Sequence, residues 1–287
     1  MTDGRGPTTD DRKPWTSDFG RRASDLGPRP RIPRVHLFEL EDQSWFPRLV
    51  RDYATDYLQF IQLSVRLDRA IAPVFRRGLE EGKTTEVVDL CSGGSGPLVL
   101  LVKELANAGV HVHATLTDLF PNIPTFEAIA RSSDGRITFE PTPVDARAVP
   151  AALRGLRTIF NGFHHFKPSD ARSVLHAAAA ASQPIAIFEA SDRRPINLLG
   201  VLLVPFAVWL MTPFIRPFRW SRLLLTYLLP LVPFTCLWDG IVSQLRAYSA
   251  DEMVELGGGA PRMRWETGHI PIARGRGRVT YLLGIPC

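Results

Sequence analysis

The stretch Thr85–Leu105, TEVVDLCSGGSGPLVLLVKEL, leaves this chain few folds to choose from. Thr85–Leu90 is a short β-rich apolar run with an acid at Asp89. Cys91–Pro97 holds only small or turn-forming residues, and Leu98–Leu105 resumes apolar at helical spacing. The pattern reads as strand, tight loop, helix. Such a unit brings a helix N-terminus and unblocked backbone N–H groups to the carboxyl end of a central strand, where nucleotide-like ligands bind in open α/β sheets.

The same alternation continues downstream. Val110–Asp118 reads as a second strand ending on an acid, Phe126–Arg131 as a short helix, and Ile137–Val144 as a third strand leading to Asp145 and Ala146. Arg157–Phe160 is a fourth strand, followed by NGFHHF at Asn161–Phe166. Ser169–Ser182 is a helix and Pro184–Glu189 a fifth, buried strand. Strands and helices in this rhythm predict a doubly wound, mostly parallel sheet. Ser249 and Glu252 form a capping-box signature for a helix over Ser249–Leu256. Met263–Pro271 and Arg278–Gly284 read as a closing hairpin at the sheet edge. Ahead of the first strand, Trp45–Leu79 carries the apolar periodicity of one or two amphipathic helices.

The 287 residues suffice for one α/β domain with extras. The division expected is an arm over 1–35, a helical cover over 36–84, the ligand-binding core over 85–195, an insertion over 196–242, and a closing helix and hairpin over 243–287. The formal charge of +5 and pI near 9.4 suggest nucleic acid. Much of the excess charge, however, sits in Met1–Arg34, whose Arg, Asp, Gly and Pro content predicts a disordered, solvated arm; no nucleic-acid partner is expected. Three widely spaced cysteines, Cys91, Cys236 and Cys287, fit a reducing compartment and offer no metal-type spacing. No metal and no secretory signal are expected.

Residues 196–242 break the pattern. INLLGVLLVPFAVWLMTPFI and LLLTYLLPLVPFTCLW are nearly uncharged and are separated by Arg216, Arg219 and Arg222. The first is long enough to span a bilayer. Spanning by both runs would place the arginine linker outside, against the positive-inside tendency, and five prolines break the runs into short pieces. The expectation is an apolar helical lid or membrane-interface element at the cytoplasmic face, with burial in a dimer or core as the alternative.

A glycine-rich first turn followed by an acid suits a dinucleotide or S-adenosylmethionine. Asp118 lies 22 residues after Gly96, an interval at which a carboxylate meets a ribose diol. The dinucleotide fingerprint needs a third small residue, and in the register of Gly94 and Gly96 that position is Val99. At these residues the chain resembles the class I S-adenosylmethionine-dependent methyltransferases, well over Thr85–Glu189 and more loosely over Ser249–Gly284. VVDLCSGGSGP is similar to that family's first motif, with Cys91 and Ser95 standing where the family often has glycine. The resemblance implies an α/β, doubly wound, mostly parallel seven-stranded Rossmann-like methyltransferase sheet, here with N-terminal helices and an apolar helical insertion. It further implies that Asp89, Cys91, Gly93, Gly94 and Gly96 hold the methionine end, that Asp118 meets the ribose, and that Leu119 beside it also contacts the cofactor. Asp145 and Ala146 would meet the adenine, and Asn161–Phe166, beginning with Asn161, would lie beside the reacting methyl.

Methyl transfer from a sulfonium is an in-line displacement, so alignment and exclusion of water matter most, and a base is needed only if the acceptor carries a proton. His164 and His165 are the candidates for that base; either can equally orient its own loop. Asp239, with Arg246, is a candidate for the acceptor side, or else a helix N-cap. Trp209, Trp220 and Trp238 are expected to anchor the insertion. The reading is transfer to a hydrophobic small-molecule acceptor, lipid, quinone or polyketide-like. The alternatives are a membrane-associated nucleoside-binding protein without transfer activity and an NAD-dependent oxidoreductase.

Overall fold

Alternate residues of the central strands face opposite sides of one sheet, and both sides are covered by helices. The computed structural model describes residues 32–94, 96–260, 262–272, 275 and 277–287. The strands are β1 (Glu86–Asp89), β2 (His113–Leu116), β3 (Ile137–Phe139), β4 (Leu156–Phe160), β5 (Ile185–Glu189), β6 (Met263–Ile272) and β7 (Gly277–Pro286). Their order is β3-β2-β1-β4-β5-β7-β6. The first five are parallel, and β7 runs antiparallel between β5 and β6. β3 is shorter than expected and stops at Phe139, five residues before Val144.

Val87, Ala186, Phe188 and Leu283 pack with α2 (Leu67–Glu81) and α3 (Leu98–Asn107) on one face. Their neighbours Val88, Ile185, Ile187 and Leu282 pack with α5 (Pro168–Ala180) and α10 (Ala250–Gly257) on the other. The remaining core helix, α4 (Ile123–Arg131), follows β2, and Phe126 anchors it. The capping box at Ser249 and Glu252 is formed. Successive strands leave β1 in opposite directions, toward β2 and toward β4. The helices that follow β1 and β4, α3 and α5, therefore lie on opposite faces of the sheet, an arrangement that opens a crevice at the carboxyl ends of these strands.

Two of the sequence-based divisions, at 35 and 242, do not coincide with breaks in the described structure. Residues 1–31 of the expected arm lie outside the described residues. Residues 32–35 are docked: Ile32 and Val35 N–H donate to Arg193 O and Leu245 O, and the Arg34 guanidinium lies 4.1 Å over the Tyr248 ring. The insertion forms α6 (Pro195–Val201), α7 (Val204–Met211), α8 (Trp220–Leu223) and a π turn at Leu224–Leu228, and α9 (Leu231–Arg246) then runs unbroken through the 242/243 boundary. α7 and α9 pack on α1 (Arg48–Ser64) through Val50, Tyr53, Tyr57, Val208, Val232 and Cys236, so cover and insertion share one core. Among the described residues no single helix is long and apolar enough to cross a membrane. Two helix pairs reach that length only with bends of 41° and 72°.

Arg222 fastens this subdomain. Its guanidinium is buried, 2.6 Å from Asp56 Oδ2, and donates to the Ile215 and Pro217 carbonyls. Arg222→Ala orphans an acid and two carbonyls at once. It is expected to cost about 2–4 kcal/mol, measured by urea unfolding.

Candidate functional site

The loop after β1 is held open by backbone conformation. Gly93 and Gly96 have φ of +50° and +47°, and nothing would contact a Cβ at Gly93 within 4 Å. Cys91 also adopts positive φ, +56°, which explains why the related motif favours glycine at that place. Burial pushes its thiol well above its usual range, which disfavours the nucleophilic thiolate. Gly94 serves packing: a Cβ there would lie 2.2 Å from Gln59 Nε2, which donates to Gly94 O. A cleft of ≈ 280 Å³ runs beside the loop between α1, α3 and α4, lined by Gln59, Gln62, Gly94, Gly96, Val99 and Thr125. Buried Gln62 Oε1 has no partner there.

Asp118 ties this loop to the end of β2. Its Oδ2 accepts from Gly93 N at 2.9 Å and its Oδ1 from Phe120 N at 2.9 Å. Leu119 and Phe120 beside it are exposed, Phe120 by 84%. The next segment joins through Val144 N–H to Asp118 O, which places Asp145 and buried Ala146 alongside; Asp145 is held below the usual carboxylate range by Arg147. Open backbone, an orphaned buried acceptor, a carboxylate and exposed apolar side chains together fit an adenosyl ligand with a polar tail.

Asp89 departs from its expected contact role. It is buried, accepts from Thr158 Oγ1 at 2.7 Å, and braces the loop from beneath. Burial pushes its carboxyl up to about 7. An acid whose pKa rises on folding stabilises the native state below the unfolded pKa and loses that contribution as pH rises through the folded one. Ligand-free Asp89→Asn is therefore expected to be more stable than wild type by roughly 2–4 kcal/mol at pH 8, with the gain shrinking toward pH 5. A pH-independent difference in urea unfolding would refute the assignment.

At the end of β4, Asn161 takes φ +50° and its Oδ1 accepts from Ala190 N, locking the turn to β5. A Cβ at Gly162 would lie 3.5 Å from Cys91 Cβ, so the loops after β1 and β4 meet. Phe163 N–H donates to Glu189 Oε1, and His164 Nδ1 lies 2.7 Å from Glu189 Oε2. His164 Nε2 and His165 Nε2 lie 3.7 and 3.5 Å from the buried Glu39 carboxylate, and Asp42 is 3.2 Å from His165 Nδ1. Arg246 NH1 reaches Asp42 at 3.0 Å, Glu39 at 3.3 Å and His165 Nδ1 at 3.4 Å. Burial opposes the charged form of Asp42, but His165 and Arg246 outweigh it and hold that carboxyl near 2. Burial likewise opposes the His165 imidazolium, and Asp42 and Glu39 raise it to about 9.

Asp239 is neither an N-cap nor free to meet an acceptor. It lies inside α9 and accepts from Leu40 N at 2.6 Å and Glu41 N at 3.1 Å, clamping the 37–42 segment over the histidines. Burial raises it to about 6, and raises Glu41 to about 8. Trp238 donates to Phe38 O and belongs to that clamp, whereas Trp209 donates to Thr226 O and Trp220 is 78% exposed. Sequence reasoning missed Glu39, Asp42 and Glu189. Only the acids crowded at Glu39–Asp42 and the one closing β5 hint at them.

A five-strand parallel core in the order 3-2-1-4-5, finished by the antiparallel β7-β6 hairpin, carries a glycine-bearing loop after β1 and an acid after β2. The fold is the class I methyltransferase fold. No family profile and no curated protein matches the chain. Solved structures with similar coordinates include an O-methyltransferase family protein from Burkholderia thailandensis, 15% identical, TM-score 0.46, over 82% of this chain and 62% of that one. The mitomycin 7-O-methyltransferase MmcR is 15% identical, TM-score 0.41, over 70% and 49%. The plantazolicin methyltransferase BpumL, in complex with SAH, is 12% identical, TM-score 0.48, over 86% and 94%. The chain thus spans less than two thirds of the length of the first two.

Proposed function

We propose that this protein transfers a methyl group from S-adenosylmethionine to a hydrophobic small molecule. The observation that carries the reading is the Gly93–Asp118 bond, which joins an open backbone cradle to a ribose-type carboxylate at the switch point of the sheet. The cofactor supplies a methyl already activated on a sulfonium. The loop backbone at 91–96 would hold its polar end, Asp118 its ribose, and Leu119 and Ala146 its base. The 161–166 turn and the 37–42 clamp close the reacting end against water, which strengthens every polar contact made there. The Glu39–His164–His165 cluster activates the acceptor atom. Val99, partly buried in the first turn of α3, occupies the place where a dinucleotide site needs a small residue.

The exposed face of α6 and α7 supports a hydrophobic acceptor. Ile196, Leu199, Leu203, Phe206, Leu210 and Phe214 recur every three or four residues and are all exposed, with no charged side chain from Pro195 to Ile215. A helix apolar on its outer face as well as its inner one suits a lipid interface. This face is read as a peripheral membrane contact from which a lipophilic acceptor is drawn.

Calorimetric titration with S-adenosylmethionine and, separately, NAD tests the cofactor; micromolar binding of the first and none of the second is expected. Release of S-adenosylhomocysteine with lipophilic acceptors tests transfer. Binding without turnover across such acceptors favours the binding protein, and NAD binding overturns the reading.

A further inference from the structure

Glu39 and the neighbouring pair His164 and His165, far apart in sequence, bring one ligand atom each to within 4.8 Å of the other two. His164 Nδ1 lies 2.7 Å from Glu189, and His165 Nδ1 lies 3.2 Å from Asp42. Each ring therefore spends its Nδ1–H on a carboxylate and turns Nε2 the other way, a tautomer assigned from the network. Both Nε2 atoms face the two oxygens of Glu39, at 3.7 and 3.5 Å, and one ligand atom from each of the three residues lies within 4.8 Å of the others. These separations are long for hydrogen bonds. The 3.5 and 3.7 Å separations are close to those around a shared cation, since ligands about 2.0–2.2 Å from zinc in a tetrahedral shell stand roughly 3.3–3.6 Å apart. Histidines whose second nitrogen is held by a carboxylate are the usual outer shell of such a site.

The surroundings agree. Glu39 and His164 are buried, while His165 is 36% exposed and leaves an entry side. Glu41, Asp42, Glu189 and Asp239 add four carboxylates around Glu39, against the Arg246 guanidinium. Arg246 lies on the Asp42 side, 3.3 Å from Glu39 Oε1. We propose that Glu39, His164 and His165 bind a divalent zinc-class cation through three protein atoms, with a remaining position open to an acceptor oxygen. Two imidazoles and one carboxylate suit zinc, iron(II) or cobalt(II) better than magnesium. Use of the open position to lower the proton affinity of an acceptor hydroxyl rests on the methyl-transfer reading; cation binding itself does not.

The test uses the full chain, free of affinity tag and stripped with chelator. Calorimetry with Zn²⁺ is expected to give one equivalent at a Kd of about 1 µM or tighter, and Co²⁺ to give visible d–d absorption. Glu39→Gln and His164→Ala should each weaken Zn²⁺ at least 100-fold and abolish the cobalt bands. Glu189→Gln should weaken it about 10–100-fold, and His111→Ala, at an exposed histidine, should change nothing. Thermal melts confirm that each variant is folded. Absence of stoichiometric uptake in folded protein, or uptake that these substitutions leave intact, overturns the site and leaves an ion-pair network. S-adenosylmethionine titrated separately into stripped protein keeps the failure of either proposal distinct.

Discussion

Asp118→Ala is expected to weaken S-adenosylmethionine binding at least 100-fold, the sum of two losses at one carboxylate. The first is the acceptor for the ribose hydroxyls, where a buried diol left unmatched costs about 1–3 kcal/mol per hydrogen bond. The second is preorganisation: Asp118 Oδ2 holds Gly93 N at 2.9 Å, and Gly93 sits at φ +50°, a conformation that glycine leaves readily once released. Asp118→Asn keeps a carbonyl toward Gly93 and should recover part of the affinity. Because Asp118 is half-buried at a strand end, thermal stability should fall little. Unchanged affinity by calorimetry would detach this acid from the cofactor and remove the main support for the functional reading.

The parts of the fold set by local pattern were legible in the sequence. The strand, loop and helix around Asp89–Pro97, the five parallel strands and the capping box at Ser249 all obey short-range rules of periodicity and capping. The parts set by tertiary packing were not. Asp89 looks like a ligand contact because it ends a strand at the loop, yet the strand pleat points it inward at Thr158. Gly94 looks like part of the cradle, yet its missing Cβ makes room for Gln59, 35 residues earlier. Asp239 reads as a cap or an acceptor contact, and only the path of residues 37–42 across α9 shows it spent on two backbone N–H groups. Glu39 meets His164 and His165 across more than 120 residues, so no spacing rule signals their convergence. The arginine linker is divided by burial: Arg216 and Arg219 are exposed, whereas Arg222 is consumed by Asp56.

The same division of inner from outer faces makes the second large effect sharp. Combined Leu199→Glu, Phe206→Glu and Leu210→Glu substitutions are expected to lower binding to anionic phospholipid vesicles at least 100-fold in co-sedimentation. Each native side chain is exposed by 60% or more. Each contributes up to about 1.5–3 kcal/mol when transferred into hydrocarbon, whereas a carboxylate there is repelled by anionic headgroups and costly to desolvate. Stability should hardly change, because these positions make none of the contacts that bury Val208 and Val232 against α1. Val208→Glu is the opposite case: it places a charge at a fully buried position and should unfold the platform. Raised salt should weaken the wild type moderately through Arg216 and Arg219, while the apolar contribution persists. If the wild type ignores vesicles and sediments as a dimer that the triple substitution dissociates, the stripe is a contact between two copies, and the acceptor reaches the site from solution.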